Sequence, residues 1–110
     1  MLEEPLLDNG LVLEVHGEVD VASSGEVRER LRAAAETGAS RILVDLSDVT
    51  FIDSIAMAGI VGAQRRLPPG GRLAIVAYHP YVLLVLEAVG LQHVVHVYPT
   101  RAEAEEYLAG

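Results

Sequence analysis

Hydrophobic positions fall into two periods along this chain: short runs of branched residues, and longer stretches with apolar side chains every three or four places. Leu11-Val12-Leu13-Glu14-Val15-His16 follows an Asp8-Asn9-Gly10 turn and reads as a strand, paired across a hairpin with a short Pro5–Asp8 segment. Gly17-Glu18-Val19-Asp20 breaks that pattern. Ser23 or Ser24 then caps a helix whose apolar residues Val27, Leu31, Ala34 and Ala35 recur at i, i+4, i+7 and i+8, with Arg28, Glu29, Arg32 and Glu36 on its solvated side. Gly38 ends it, and Arg41-Ile42-Leu43-Val44-Asp45-Leu46 reads as a buried strand running into an acidic turn, Ser47-Asp48-Val49-Thr50.

A second helix is predicted from about Ile55 to Leu67, stopped by Pro68-Pro69-Gly70-Gly71. Leu73-Ala74-Ile75-Val76-Ala77 is another buried strand, and Pro80 opens a helix carrying Val82, Leu83, Leu86 and Val89, closed by Gly90. Val94-Val95-His96-Val97-Tyr98 is a last short strand, and Thr100 with Glu103 forms a capping box for a terminal helix from about Arg101 to Leu108. Near-continuous apolar strands separated by helices indicate parallel pairing with helices covering the sheet. The expectation is an α/β fold, one domain spanning residues 1–110 around a four- or five-stranded mixed sheet.

Composition narrows the chemistry. At 110 residues the chain fits one domain, and 51% hydrophobic against 22% charged residues is the balance of a chain that folds. Sixteen acidic against eight basic residues give a net charge of −8, which opposes a phosphate-backbone ligand, so no nucleic-acid partner is expected. All eight basic residues are arginine, so no P-loop lysine, Schiff-base lysine or receiver-site lysine is present. The absence of cysteine removes disulfides, thiolate zinc sites and thiol catalysis. The longest apolar run, Ile55 to Ala63, falls well short of the roughly 20 residues that span a bilayer, and the N-terminus carries Glu3 and Glu4 where a secretory signal carries bases. A cytoplasmic location without direct membrane insertion is the expectation.

The densest information lies in Asp45-Leu46-Ser47-Asp48-Val49-Thr50-Phe51-Ile52-Asp53-Ser54, an acidic turn and an Asp-Ser dipeptide set directly before a helix. Asp53 or Ser54 is a natural N-cap that holds the helix N-terminus at the end of the sheet where ligands bind in α/β folds. The residues alone also allow a switch, since a phosphate on Ser54 would meet the positive end of the helix dipole. Within that helix, Ile55, Gly59, Gly62 and Arg66 share a row at i, i+4, i+7 and i+11, while Met57, Ile60, Val61 and Gln64 can face the sheet. Each interior glycine costs about 1 kcal/mol relative to alanine, so the row implies close approach, either by a neighbouring helix or by a partner.

Leu13-Glu14-Val15-His16-Gly17-Glu18-Val19-Asp20, followed by Asp45-Leu46-Ser47 through Phe51-Ile52-Asp53-Ser54, resembles the STAS domain family of anti-sigma factor antagonists, over essentially the whole chain. The resemblance implies a mixed sheet with about four helices packed mainly on one side. It also implies partner switching, in which the antagonist binds an anti-sigma factor that is a histidine-kinase-like ATPase and serine kinase. Phosphorylation of a serine or threonine at the start of the central helix reverses that binding. Asp53 and Ser54 match the family's Asp-Ser, but the acceptor position is Ile55, with Ala56 for the usual glycine and Met57 for a leucine. Isoleucine accepts no phosphate, and a shift of the acceptor to Ser54 would turn the side chain by about 100° around the helix. The reading adopted is binding without that form of control. Carried over in this way, the partner-binding surface comprises Asp20, Asp53, Ser54, Ile55, Ala58, Gly59, Gly62 and Arg66, on a monomer or weak dimer. A STAS subunit of a stress-signalling scaffold or of a membrane transporter complex is the alternative.

Other chemistry is weaker. Asp45, Asp48 and Asp53 lack the lysine that receiver chemistry needs, and no G-x-S-x-G, H-E-x-x-H or Gly-rich phosphate loop occurs, so no enzyme activity is expected. His93 and His96, three apart on a strand, would point to opposite faces, so neither a metal nor a cofactor is expected. Tyr78 and Tyr81 could stack on a nucleotide but read more simply as part of a half-buried loop.

Overall fold

The branched run after Gly10 forms a longer strand than its apolar residues alone require. The computed structural model describes the backbone of residues 2–6 and 10–110, and side chains from residue 10 onward. In it, β1 (Leu2–Leu6), β2 (Gly10–Val19), α1 (Ser24–Glu36), β3 (Arg41–Ile52), α2 (Ser54–Arg65) and β4 (Arg72–Val76) follow in order. α3 (Pro80–Ala88), a 3-10 turn (Leu91–His93), β5 (His96–Tyr98) and α4 (Arg101–Ala109) complete the chain. The first strand thus lies earlier than Pro5–Asp8, and Asp8 and Asn9 of the expected hairpin turn fall outside the described residues.

The sheet has five strands in the order β1-β2-β3-β4-β5. β2, β3, β4 and β5 run parallel, and β1 lies antiparallel along the β2 edge. The near-continuous apolar strands follow from burial on both faces. On one face Leu13, Ile42, Val44, Leu73 and Ile75 pack with α1, α2 and α3; on the other Val12, Leu43, Ala74 and Val76 meet Ala104 and Leu108 of α4. Three of the four helices therefore share a side. α4 is fixed at its C-terminal end by two register partners, Arg41 and Arg72. Arg41 Nε donates to the Leu108 carbonyl at 2.6 Å, and Arg72 Nη1 donates to that of Tyr107 at 2.7 Å, so the helix's orphan acceptors are satisfied by cations.

Gly17-Glu18-Val19 does not break the first long strand but continues it to Val19, because β3 stays paired alongside, and four further sequence expectations change. Ser47-Asp48-Val49-Thr50 is not a turn but part of β3, because β2 stays paired beside it through His16↔Asp48, Gly17↔Val49 and Val19↔Ile52. Ser23 occupies the N-cap position of α1 but makes no side-chain capping bond there, because its hydroxyl donates to the Glu18 carbonyl at 3.2 Å, and Ser24 is the first, buried residue of the helix. The last strand begins only at His96, because Leu91–His93 winds into a 3-10 turn after Gly90, whose φ of 73° only glycine adopts freely. Leu83 and Val89 of the α3 stripe are exposed, leaving Val82 and Leu86 as that helix's buried residues. Thr100 does cap α4, its Oγ1 accepting from the Glu103 N–H at 3.2 Å while donating to the Glu103 carboxylate at the same distance.

α2 begins at Asp53, whose carboxylate accepts from the Ala56 N–H at 3.0 Å, and it packs side by side with α1. The glycine row divides between two environments. A Cβ at Gly59 would stand 3.0 Å from the Arg28 Cα and 3.2 Å from its Cβ, so Gly59 sets the approach of the two helices. A Cβ at Gly62 would meet only the Arg66 guanidinium tip, at 3.1 Å. Gly59→Val is accordingly expected to lower stability by about 2 kcal/mol through overpacking. Gly62→Ala should raise it by about 0.5 kcal/mol, because the arginine tip moves aside while the helix gains propensity. Asp53→Ala should cost about 1 kcal/mol and Asp53→Asn only a few tenths, since asparagine retains the cap. Urea unfolding followed by circular dichroism measures all four.

Candidate functional site

At the carboxyl ends of the two longest parallel strands the chain makes two turns side by side. The first leaves β2 at Asp20: its Oδ1 accepts from the Ala22 N–H at 3.0 Å, and its carbonyl accepts from the N–H groups of Ser23 and Ser24 at 3.0 and 2.7 Å. The second leaves β3 at Asp53, whose N–H donates to the Val19 carbonyl at 3.1 Å and ties the two turns together. The two aspartates that the sequence singled out therefore flank one another at the entries to α1 and α2. The Asp20 and Asp53 carboxylates both bind backbone N–H groups, and further down the same edge Asp48 meets His16 Nδ1 at 3.0 Å.

Ser54 and Ile55 open α2 on its solvent side, followed by Ala58 one turn later; all three are exposed, Ile55 at 41%. Arg66 is exposed at the helix's far end and folds back toward the half-buried Gly62. Met57 and Ile60 are buried against the sheet as their spacing predicted. Gly59 departs from the expected set: it is covered by Arg28 of α1 and is closed to a partner. What remains open is Asp20, Ser54, Ile55 and Ala58, with Asp53 half-buried between them and Gly62 and Arg66 further along α2.

The structure adds a residue that sequence reasoning passed over. Val21, in the turn between Asp20 and Ser23, is 86% exposed, an aliphatic side chain at the same end of the sheet as Ile55. Its signal was a large aliphatic side chain directly after the turn-forming Asp20. Tyr78 and Tyr81 reach this end from the adjacent strand β4, and Tyr81 stacks on Phe51 of β3 with ring centroids 5.7 Å apart instead of standing free for a nucleotide. His93 and His96 do not oppose each other across a strand, because His93 lies in the 3-10 turn and both line one cleft. Among the described residues no group of three metal-ligating side chains assembles. The site thus combines two exposed aliphatic side chains, Val21 and Ile55, at the entries to α1 and α2 with the carboxylates of Asp20 and Asp53. Such a surface suits a protein partner with an apolar contact and basic groups around it.

Comparison with known proteins agrees with this geometry. The model of the STAS domain family matches residues 3–104. The anti-sigma-B factor antagonist of Bacillus subtilis (strain 168) is 28% identical over 91 residues, covering 82% of this chain and 83% of that protein. An anti-sigma factor antagonist from Mycobacterium paratuberculosis superposes with a TM-score of 0.91 at 23% identity, covering 99% of this chain and 92% of the other. The Bacillus cell fate determinant SpoIIAA in its phosphorylated form superposes with a TM-score of 0.71 at 23% identity, covering 96% of both. With the element order, the paired aspartate turns and a family match across nearly all of its length, this chain belongs to the STAS domain family.

Proposed function

We propose that this chain is an anti-sigma factor antagonist-like regulator. It binds an anti-sigma factor of the histidine-kinase-like ATPase type by partner switching, through the patch at the start of α2, and it does so without phosphorylation at the usual acceptor position. The observation that carries this reading is Ile55 itself, an exposed aliphatic side chain at the head of α2 between the Asp53 cap and Ala58. A phosphate placed there would add about −2 charge to a surface already holding Asp20 and Asp53, and would repel and desolvate a docked partner. Isoleucine keeps the surface in the state an unmodified serine would present, with added apolar contact. The function is binding, with no catalytic step of its own. Among the described residues no helix is long and apolar enough to cross a membrane, and the proposed site of action is the cytoplasm.

Ile55 also favours a second reading, in which the chain is a STAS subunit of a stress-signalling scaffold or of a transporter complex and needs no phosphate switch. Affinity capture from the native host followed by mass spectrometry separates the two. Stoichiometric recovery of a small ATPase-kinase supports partner switching, whereas recovery of scaffold or transporter subunits replaces it. With the ATPase-kinase in hand, Ile55→Asp is expected to weaken binding by about 2 kcal/mol, about 30-fold, with unfolding unchanged. Unchanged affinity in a folded variant removes Ile55 from the interface. Incubation with that kinase and ATP is expected to leave the chain unmodified, and phosphate on Ser54 with loss of binding would overturn the proposed independence from phosphorylation.

A further inference from the structure

Charge is distributed unevenly along this chain. Between Tyr78 and Tyr98 the only formal charge is Glu87, so 15 of the 16 acidic residues and all eight arginines lie elsewhere. Among the described residues the same stretch holds most of the large apolar side chains that face solvent: Tyr78, Tyr81, Leu83, Leu84, Val89 and Val94, with Leu84 63% exposed on α3. A helix that is apolar on nearly every side belongs in an interior, yet α3 buries only Val82 and Leu86.

The stretch ends in β5, one of the two outer strands of the sheet. Because the Tyr98 carbonyl accepts from the Ala77 N–H at 3.0 Å on the β4 side, the parallel ladder turns the N–H and carbonyl of Val97 outward. Edge strands are ordinarily guarded by charge or proline, and Val94 to Tyr98 has neither within it. Beside this edge lies a cleft of about 310 Å³ lined by Gln92, His93, Val94, Val95, His96 and Val97. The 3-10 turn packs against both α3 and β5 and joins the two features.

We propose that this neutral face, from the outer side of α3 through Val94 to the β5 edge, is the contact by which the chain pairs with a second copy of itself. The choice of occupant follows from charge. A basic partner is drawn to the acidic surfaces and finds nothing to complement here. Two chains of net charge −8 repel through the rest of their surfaces, and this nearly uncharged face is where one can meet its own image. A self-complementary contact of this kind closes on a two-fold axis and stops at a dimer, bringing apolar side chains together and offering each exposed strand edge a partner. Leu84, Val94 and the strand edge belong to α3, the turn after it and β5, whereas Val21 and Ile55 stand at the entries to α1 and α2, so pairing is expected to leave the site proposed for the anti-sigma factor open.

Sedimentation velocity over a concentration series tests the pairing directly. The wild-type chain is expected to pass from 11.8 kDa to twice that mass as concentration rises. Association should tighten with added salt, because screening removes the like-charge repulsion and leaves apolar contact intact. Leu84→Asp and Val94→Asp, both at exposed positions and checked for folding by circular dichroism, should remain at the monomer mass, while Ile55→Asp should dimerise like wild type. A wild-type chain that stays monomeric throughout, a dimer that both aspartate variants retain, or one that salt loosens overturns the proposal. Loss of the dimer in Ile55→Asp overturns it as well, by placing self-association at the α2 patch.

Discussion

The parallel ladder between β2 and β3 is the constraint on which the rest of the molecule depends. β4 follows β3 only as far as Asp45↔Val76, but β2 continues alongside β3 to Val19↔Ile52. The pair can stay together because the register slips twice, between Glu14 and His16 and between Gly17 and Glu18. Gly17, at φ 78°, occupies a left-handed conformation at the second slip that a side chain would resist. The outcome is a two-stranded projection beyond the body of the sheet. It carries the Asp20 and Asp53 turns at its tip, held together by the Asp53 N–H and the Val19 carbonyl.

That projection also dictates the packing of the helices. α1 and α2 both descend from its tip, so they start level with each other and run side by side, and the bare backbone at Gly59 lets Arg28 of α1 settle against α2. α3 begins beyond the shorter strand β4 and reaches across to the extended part of β3, where Tyr81 finds Phe51. α4 lies on the other face, where a small apolar group is supplemented by the two arginines that hold its final carbonyls. A shorter β2 would remove the tip, and with it the level start of α1 and α2.

Most of this was legible in the sequence where one physical signal acted alone. The apolar runs of β3 and β4, the proline at the start of α3, the Thr100 cap and the sheet-facing Met57 and Ile60 needed only periodicity and capping rules. The failures share a cause, since each depended on a neighbour far away in sequence. Ser47 to Thr50 looks like a turn because three of its four residues are polar, and only β2 beside it makes it a strand, with Val49 in the core and Ser47 donating its N–H and hydroxyl to the Asp45 carboxylate. The glycine row could not be divided into a buried and an open part until α1 was placed over Gly59 but not over Gly62. Val21 escaped notice because a single exposed valine in a turn carries no period.

Ile55 is the residue for which the fold itself offers least justification. It sits in the first turn of α2, where the helix dipole favours a carboxylate or a small polar side chain, and 41% of its surface stays exposed. β-Branching lowers helix propensity, and exposing an aliphatic side chain forgoes stabilisation that burial would bring. A glutamate would serve the helix at least as well. The neighbouring positions meet local demands: Asp53 caps the helix, Ala56 is buried beneath it and Gly59 admits α1. An aliphatic side chain left 41% exposed at the start of α2, at the same end of the sheet as the exposed Val21, is the kind of residue on which a protein contact draws.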